Sequence, residues 1–396
     1  MKYFKISLII LINLLFSACS SSVQTKSSES TSPPMGWNSW NWFGKKDINE
    51  QNVREIIDAI VESGLADAGY KYVVIDGGWR DTKLGPDGEL VPHPEKFPNG
   101  IKPLADYAHS FGLKLGLHTV PGTHDCGGDM VGAWGKEEVH IQQFIEWEID
   151  YIKLDKCLHK EGGWNEDILK QTYFKWDSLL KSHNSEILFS ICAYKYREWY
   201  PEIGDIARTG PDISCLRYRG ANFDTTRQGV MPIADLNNKA ADKAGNGYWN
   251  DPDILVVGEQ GLTIEEQKVH FALWCIMTSP LMLGNDPRNM LEYEREILLN
   301  KECIAVNQDI TEQGTKILTE NGIELWRKDL AGGKVAILII NRSSENISSY
   351  LLEWEKAGLS KKYQVRDLLE KKSIGRHNNS LKLEIGLHSC KFLLFY

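Results

Sequence analysis

Tyr151-Ile152-Lys153-Leu154-Asp155-Lys156-Cys157 is a short β-prone run that carries a lysine and an aspartate two positions apart. Side chains alternate faces along a strand, so Lys153 and Asp155 point one way while Ile152 and Leu154 point the other. The second face packs. The first brings an ammonium and a carboxylate together at the tip of an apolar strand, which is costly unless the pair is neutralised or used. Taken alone, the run reads as a salt-bridged strand end, and its flanks must decide whether it is more.

Upstream, Val139, Ile141, Phe144 and Ile145 fall at helical spacing. Downstream, Ile168, Leu169, Tyr173, Trp176, Leu179 and Leu180 repeat that spacing and lead to a second β-prone run at 187–192. The alternation extends both ways. Residues 49–68 predict a helix with Val53, Ile56, Ile57, Ile60, Val61 and Leu65 on its buried stripe, ended by Gly69. A strand at 70–76 then stops at Gly77-Gly78-Trp79, and a helix bearing Leu104, Ala105 and Ala108 leads to a strand at 113–118. Further units are Ile206-Ala207-Arg208 ahead of Asp212, a strand at 253–257 after Trp249, and a helix at 269–277 before Pro280-Leu281-Met282-Leu283.

Strands alternating with helices imply a parallel sheet covered by helices, and the number of units suits a (β/α)8 TIM barrel over residues 33–305. An open doubly wound sheet is the alternative, although no Gly-x-Gly-x-x-Gly follows the first strand. From residue 306 the pattern changes to alternating, turn-rich segments such as 322–326, 335–340, 381–385 and 391–396. These predict a C-terminal antiparallel β-sandwich over residues 306–396, making the whole an α/β protein of two domains.

With 25% charged and 42% hydrophobic residues the chain is globular, neither disordered nor coiled coil. A net charge of −9 without Lys/Arg clusters excludes nucleic acid as the expected partner and favours neutral or weakly charged substrates. At the N-terminus, Lys2 and Lys5 precede an apolar run at 6–16 and then Ser17-Ala18-Cys19, the pattern of a secretory signal. Leu15-Phe16-Ser17-Ala18-Cys19 resembles a bacterial lipobox. The expectation is a lipoprotein signal at 1–19 with Cys19 as the lipidated first mature residue, and a flexible tether at 20–32. The folded part would then be exported and held at the cell envelope by its lipid anchor, its only tie to a membrane. The cysteines show no Cys-x-x-Cys or His/Cys cluster of zinc-site spacing.

Asp76, His118, Asp155 and Asp212 are expected at strand ends, and such ends converge on the mouth of a barrel. Two carboxylates flanking a bond are the minimum for glycoside hydrolysis. The thirteen tryptophans supply indole faces for sugar rings, or simply core.

Met35-Gly36-Trp37-Asn38-Ser39-Trp40, Tyr72-Val73-Val74-Ile75-Asp76, Gly112-Leu113-Lys114-Leu115-Gly116, Tyr151-Ile152-Lys153-Leu154-Asp155, Arg208 with Asp212, and Trp249-Asn250-Asp251-Pro252-Asp253-Ile254-Leu255 resemble, in that order, motifs of glycoside hydrolase family 27. This family contains the α-galactosidases (melibiases) and α-N-acetylgalactosaminidases. The resemblance implies a retaining, exo-acting hydrolase of terminal α-galactosidic or closely related bonds on oligosaccharides or polysaccharides, with no metal or organic cofactor. By position, Asp155 would be the nucleophile and Asp212 the general acid and base. Trp37, Asp76, His118, Lys153, Arg208 and Asp253 would contact sugar, and Cys126 and Cys157 would form a disulfide beside the nucleophile strand.

Three positions depart from the family pattern. Gly77 stands where a second aspartate usually follows Asp76, His118 replaces a tyrosine, and Ala193 replaces a glutamate after the cysteine of the fifth strand. Either His124, Asp125 or Tyr194 restores the missing contacts, or the glycone is modified: an α-N-acetylgalactosaminide, a β-L-arabinopyranoside or a C6-substituted galactoside, with Arg80 and His118 facing an anion. Two other classes stay open: a catalytically weak carbohydrate-binding lipoprotein, disfavoured because both Asp155 and Asp212 are kept, and a Schiff-base aldolase, disfavoured because Asp155 flanks Lys153.

Overall fold

The computed structural model describes residues 32–217 and 220–396. The expected signal, Cys19 and all but the last residue of the tether lie outside the described residues. Eight short parallel strands form the first sheet: β1 (Met35–Asn38), β2 (Tyr72–Ile75), β3 (Lys114–Thr119), β4 (Tyr151–Asp155), β5 (Leu188–Cys192), β6 (Ile206–Arg208), β7 (Trp249–Asp251) and β8 (Leu281–Leu283). They run in chain order from β1 to β7, with β8 on the other side of β1. The strand expected at 253–257 begins earlier, at Trp249, and ends before Asp253. Asp253 has φ 102°, which breaks the extended run. Past the break, Leu255 pairs with Leu283 of β8 and carries the seam between the ends of the sheet.

Local chemistry explains these elements. The helix Glu50–Glu62 is capped by the Asn49 side chain, which accepts from Asn52 N, and it buries Val53, Ile56, Ile57 and Ile60. The single helix expected to Ala68 is split, because Gly64 adopts φ 84° and starts the separate turn Leu65–Ala68. Gly36 on β1 permits close approach to β2, since a Cβ there would sit 2.2 Å from the Tyr72 carbonyl oxygen.

Inside the barrel, Val74, Tyr151, Ile206, Trp249 and Met282 form a buried apolar floor. Four of the five come from the even-numbered strands, as in the side-chain layers of a closed barrel. Two residues further along the same strands, on the same face, stand Asp76, Lys153 and Arg208. The strand period that builds the floor thus sets the polar layer above it.

The helix Lys301–Gln308 runs across the boundary expected at 305/306, and the second domain's first strand starts later, at Thr315. This domain holds a six-stranded antiparallel sheet and a two-stranded one, Ile347–Glu353 with Ser380–Ile385. In the strand Lys334–Asn341, Ile337 and Ile339 face the core between these sheets. Ala336, Leu338 and Ile340 alternate with them and join the barrel core instead. The covering helix Ile264–Ile276 starts with a capping box of Thr263 and Glu266 and is apolar on nearly every side, as its place between barrel and sandwich requires. Among the described residues no helix is long and apolar enough to cross a membrane.

Candidate active site

A cavity of about 180 Å³ opens at the C-terminal ends of the strands. Asp76, His118, Lys153, Asp155, Arg208, Asp212 and Asp253 all line it, together with Trp40, Lys45, Gly77, Asp125 and Tyr194. Trp37 and Arg80 stand apart from this cavity, and Asp212 reaches it from a different element than expected. Trp37 is fully buried, gives its indole N–H to the Asn285 carbonyl at 2.8 Å, and does not line the cavity. Trp40, three residues on in the same motif, supplies the aromatic wall in its place. Arg80 is also buried away from the cavity, donating to the Val131 carbonyl, so it does not face an anion there. Asp212 is not at a strand end: it follows β6 by four residues, on a loop.

Asp155, the last residue of β4, is buried and has two polar neighbours. Tyr194 Oη donates to its Oδ1 at 2.6 Å, and His118 Nε2 lies 3.4 Å from its Oδ2. Burial opposes ionisation of this carboxyl, but the His118 hydrogen bond and the Lys153 charge outweigh it and hold it below the usual carboxylate range. Lys153 Nζ donates to Asp76 Oδ2 at 2.6 Å, and Asn38 Nδ2 donates to the same oxygen at 3.1 Å. Despite burial, the Lys153 charge holds Asp76 far below its ordinary value, and Asp76 raises Lys153 in turn.

The acid side is assembled by Arg208. Its Nη2 lies 2.8 Å from Asp253 Oδ2 and 3.2 Å from Asp212 Oδ1. Asp253 Oδ2 also accepts from Ile213 N at 2.8 Å, and Glu259 accepts from Leu216 N at 2.7 Å and Asn41 Nδ2 at 2.6 Å. Two buried carboxyls thus hold the loop that carries Asp212. Burial pushes Asp253 up to about 6 and Glu259 up to about 7. The Asp212 side chain itself is 43% exposed, so it meets both substrate and water.

Around the three departures the cavity wall is filled unevenly. An added Cβ at Gly77 would meet only Trp40, at 3.6 Å, so the cavity has spare room there. Asp125 and Tyr194 stand in the cavity wall, whereas His124 does not. Lys45 Nζ lies 3.1 Å from Asp125 Oδ2, and the Asp125 Oδ1 caps a turn through Gly128 N at 2.8 Å. Cys126 and Cys157 are joined in a disulfide beside β4. His118, Asp155 and Cys157 bring donor atoms close together, yet the disulfide removes the thiolate that a metal would need.

A (β/α)8 barrel with paired carboxylates at its mouth and a β-sandwich behind it is the architecture of a glycoside hydrolase. The family model described as "Alpha galactosidase A" matches residues 32–309, and that of the "Alpha galactosidase C-terminal beta sandwich domain" matches residues 320–395. The chain belongs to the α-galactosidase (melibiase) family and is a glycosidase. It is 39% identical over 365 residues to an α-galactosidase of Cyamopsis tetragonoloba, covering 91% of this chain and 85% of that one. It is 37% identical over 349 residues to α-galactosidase A of Cellvibrio japonicus, covering 87% and 84%. The crystal structure of α-galactosidase I from Mortierella vinacea superposes with a TM-score of 0.86 at 30% identity, covering 94% of this chain and 98% of that one.

Proposed function

We propose that the protein releases terminal α-galactosyl units from oligosaccharides with retention, through a glycosyl ester on Asp155. The observation that carries this is the sharing of one cavity by two unlike carboxyls. Asp155 is buried and kept ionised, whereas Asp212 is part-exposed on a braced loop. An Asp155 oxygen attacks the anomeric carbon, the bond to the leaving oxygen breaks, and Asp212 gives that oxygen its proton. Asp212 then takes a proton from water as the water attacks the same carbon, the ester breaks, and both carboxyls return to their starting states. Lys153, Asp76, Arg208 and Asp253 fix charges around the ring, and Trp40 offers it an aromatic face.

Galactose is the favoured glycone because Asp125 and Tyr194 offer polar groups to the cavity wall, where Gly77 and Ala193 bring no carboxylate. The room beside Gly77 favours, as a second reading, a glycone substituted at that edge. Turnover of aryl α-galactosides, α-N-acetylgalactosaminides and β-L-arabinopyranosides separates the two. Proton NMR of the first-formed sugar from an aryl α-galactoside should show the α anomer. The β anomer, or undiminished turnover by Asp155→Asn, would overturn the mechanism.

The reading extends to location: an exported protein lipidated at Cys19. A disulfide between Cys126 and Cys157 suits an oxidising compartment. Labelled palmitate should enter the wild type and be lost in Cys19→Ser.

A further inference from the structure

Asp155 presents two oxygens that differ in how firmly they are held. Oδ1 takes a short hydrogen bond from the Tyr194 hydroxyl, 2.6 Å, while among the described residues Oδ2 has the longer approach of His118 Nε2 at 3.4 Å. The phenol reaches Oδ1 because of an unusual backbone. Tyr194 has φ 61°, a left-handed conformation rare for a residue with a bulky side chain and held only where its surroundings impose it.

Those surroundings are explicit. The buried guanidinium of Arg197 donates through Nη1 to the carbonyls of Ala193 and Lys195 at 3.0 and 3.3 Å and to Tyr200 Oη at 2.7 Å. The acid at its other edge is Glu166, with Nε to Oε2 at 2.6 Å and Nη2 to Oε1 at 3.1 Å. Lys195 N closes a tight turn onto Ala193 O at 3.0 Å. On the far side, Tyr194 Oη stands 3.5 Å from Cys126 Sγ of the disulfide. Burial and then the Asp155 charge push the Tyr194 phenol up, so it stays a donor throughout the range in which a carboxylate nucleophile works.

We infer that Tyr194 is a positioning residue for the reaction: its hydroxyl fixes Oδ1 of Asp155 as the oxygen that does not attack and leaves Oδ2 to form the glycosyl ester. This rests on Asp155 being the nucleophile. The Oδ2–C1 bond forms as the bond from C1 to the leaving oxygen breaks, and Oδ1 becomes the ester carbonyl, still hydrogen-bonded to Tyr194. When water later displaces the ester, negative charge returns to a carboxylate whose Oδ1 the same hydroxyl stabilises. His118 stands at the end of β3, and the phenol comes from the loop after β5, at the residue following Ala193.

The test is Tyr194→Phe beside Tyr194→Ala, both checked for wild-type circular dichroism and thermal midpoint. Loss of a hydrogen bond to a charged group should lower kcat/KM of Tyr194→Phe by about ten- to a hundred-fold. It should also move the acid limb of the pH profile upward, because the Asp155 anion loses a donor while His118, Lys153 and Asp212 around it are unchanged. Tyr194→Ala should do no worse than Tyr194→Phe by more than a few-fold. A Tyr194→Phe enzyme with wild-type rate and acid limb, and a loss only in Tyr194→Ala, would mean that the ring is mere wall and would overturn the inference. Trapping with a fluorinated galactosyl fluoride, followed by peptide mass analysis, separates this from the parent reading. A label on the Asp155 peptide upholds the nucleophile whatever Tyr194→Phe does, and a label elsewhere removes the basis of both.

Discussion

Lys153 and Asp76 form a 2.6 Å ion pair across the barrel interior, reaching from β4 over β3 to the residue that follows β2. Both side chains are well buried, 14% and 5% exposed, so water screens them little. Removing one partner would leave the other charge uncompensated. Asp76→Asn should therefore lower unfolding free energy by about 3 to 5 kcal/mol, read from urea denaturation. Asp76 also lines the cavity, so kcat/KM should fall as well, by at least about tenfold for the lost charged contact. Because Asp76 is depressed in the fold, its stabilising contribution is complete above pH 4 and is lost as pH falls below its unfolded value. An Asp76→Asn protein with wild-type urea midpoint and rate would show that the pair is ornamental.

Asp253 and Glu259 have the opposite linkage. Each holds its proton more tightly in the fold than in the unfolded chain, with values near 6 and 7 against ordinary ones near 4. Stability contributed by that tighter binding is present in acid and is lost as pH rises from about 4 through 6 to 7. Asp253→Asn and Glu259→Gln should each flatten the fall of the thermal midpoint over this window. Asp253→Asn should cost activity as well, because Arg208 and the Ile213 amide both depend on that carboxylate. If neither substitution alters the slope of midpoint against pH between 4 and 7, the two acids do not brace the Asp212 loop through their charge state.

Most of the barrel was legible because its signal is periodic. Strand alternation put Lys153 and Asp155 on one face, and the same period links Val74 to Asp76 and Ile206 to Arg208. The failures came where backbone geometry departs from the period. Asp253 reads as the start of a strand because Ile254, Leu255, Val256 and Val257 are apolar, yet its left-handed backbone ends β7 before them. Trp37 and Trp40 stand in one motif with nothing in the spacing to say which indole is core. Only the packing of Trp37 on Phe43, ring centres 6.0 Å apart, and its bond to Asn285 decide it. Asp125 stood among the candidates in the sequence, but its partner Lys45, in the last turn of the short helix Trp40–Asp47, did not, because no period links that helix to the loop after β3.

Lys328 offers a test of how the two domains are joined. It lies on the strand Ile323–Leu330 of the sandwich sheet, fully buried, and burial pushes its amine down to about 8. Its Nζ donates to Thr278 Oγ1 and to the carbonyls of Val306 and Asp309, each at 2.6 Å; Thr278 precedes β8, Val306 lies in the helix Lys301–Gln308 and Asp309 follows it. Lys328→Met keeps the stem but strands three buried acceptors. The expected loss is about 3 kcal/mol or more in denaturant midpoint, with little change in KM because the site is remote. An amine that is harder to protonate in the fold also predicts that wild-type stability gains from this residue as pH rises from 8 towards 10.5, and that Lys328→Met lacks this gain. An unchanged midpoint in Lys328→Met would show that the junction is held by apolar packing alone.

The division of labour between Asp155 and Asp212 makes a last prediction about leaving groups. Asp212 is needed to protonate the departing oxygen only when that oxygen leaves as a poor anion. A dinitrophenyl α-galactoside carries a leaving group that departs unprotonated, whereas a sugar or alkyl aglycone does not. Asp212→Asn should therefore cost about a hundred- to ten-thousand-fold in kcat/KM on a disaccharide and far less on the dinitrophenyl substrate. With the first step spared, the glycosyl ester should accumulate, because the same carboxylate is needed to activate water. A burst of dinitrophenolate equal to the enzyme concentration, followed by slow turnover that azide accelerates, is the expected trace. Asp155→Asn should show neither burst nor leaving-group rescue, since without the attacking oxygen no ester forms. Equal losses on both substrates in Asp212→Asn would mean that Asp212 is not the proton donor, and that the Arg208 and Asp253 cluster serves only to shape the cavity.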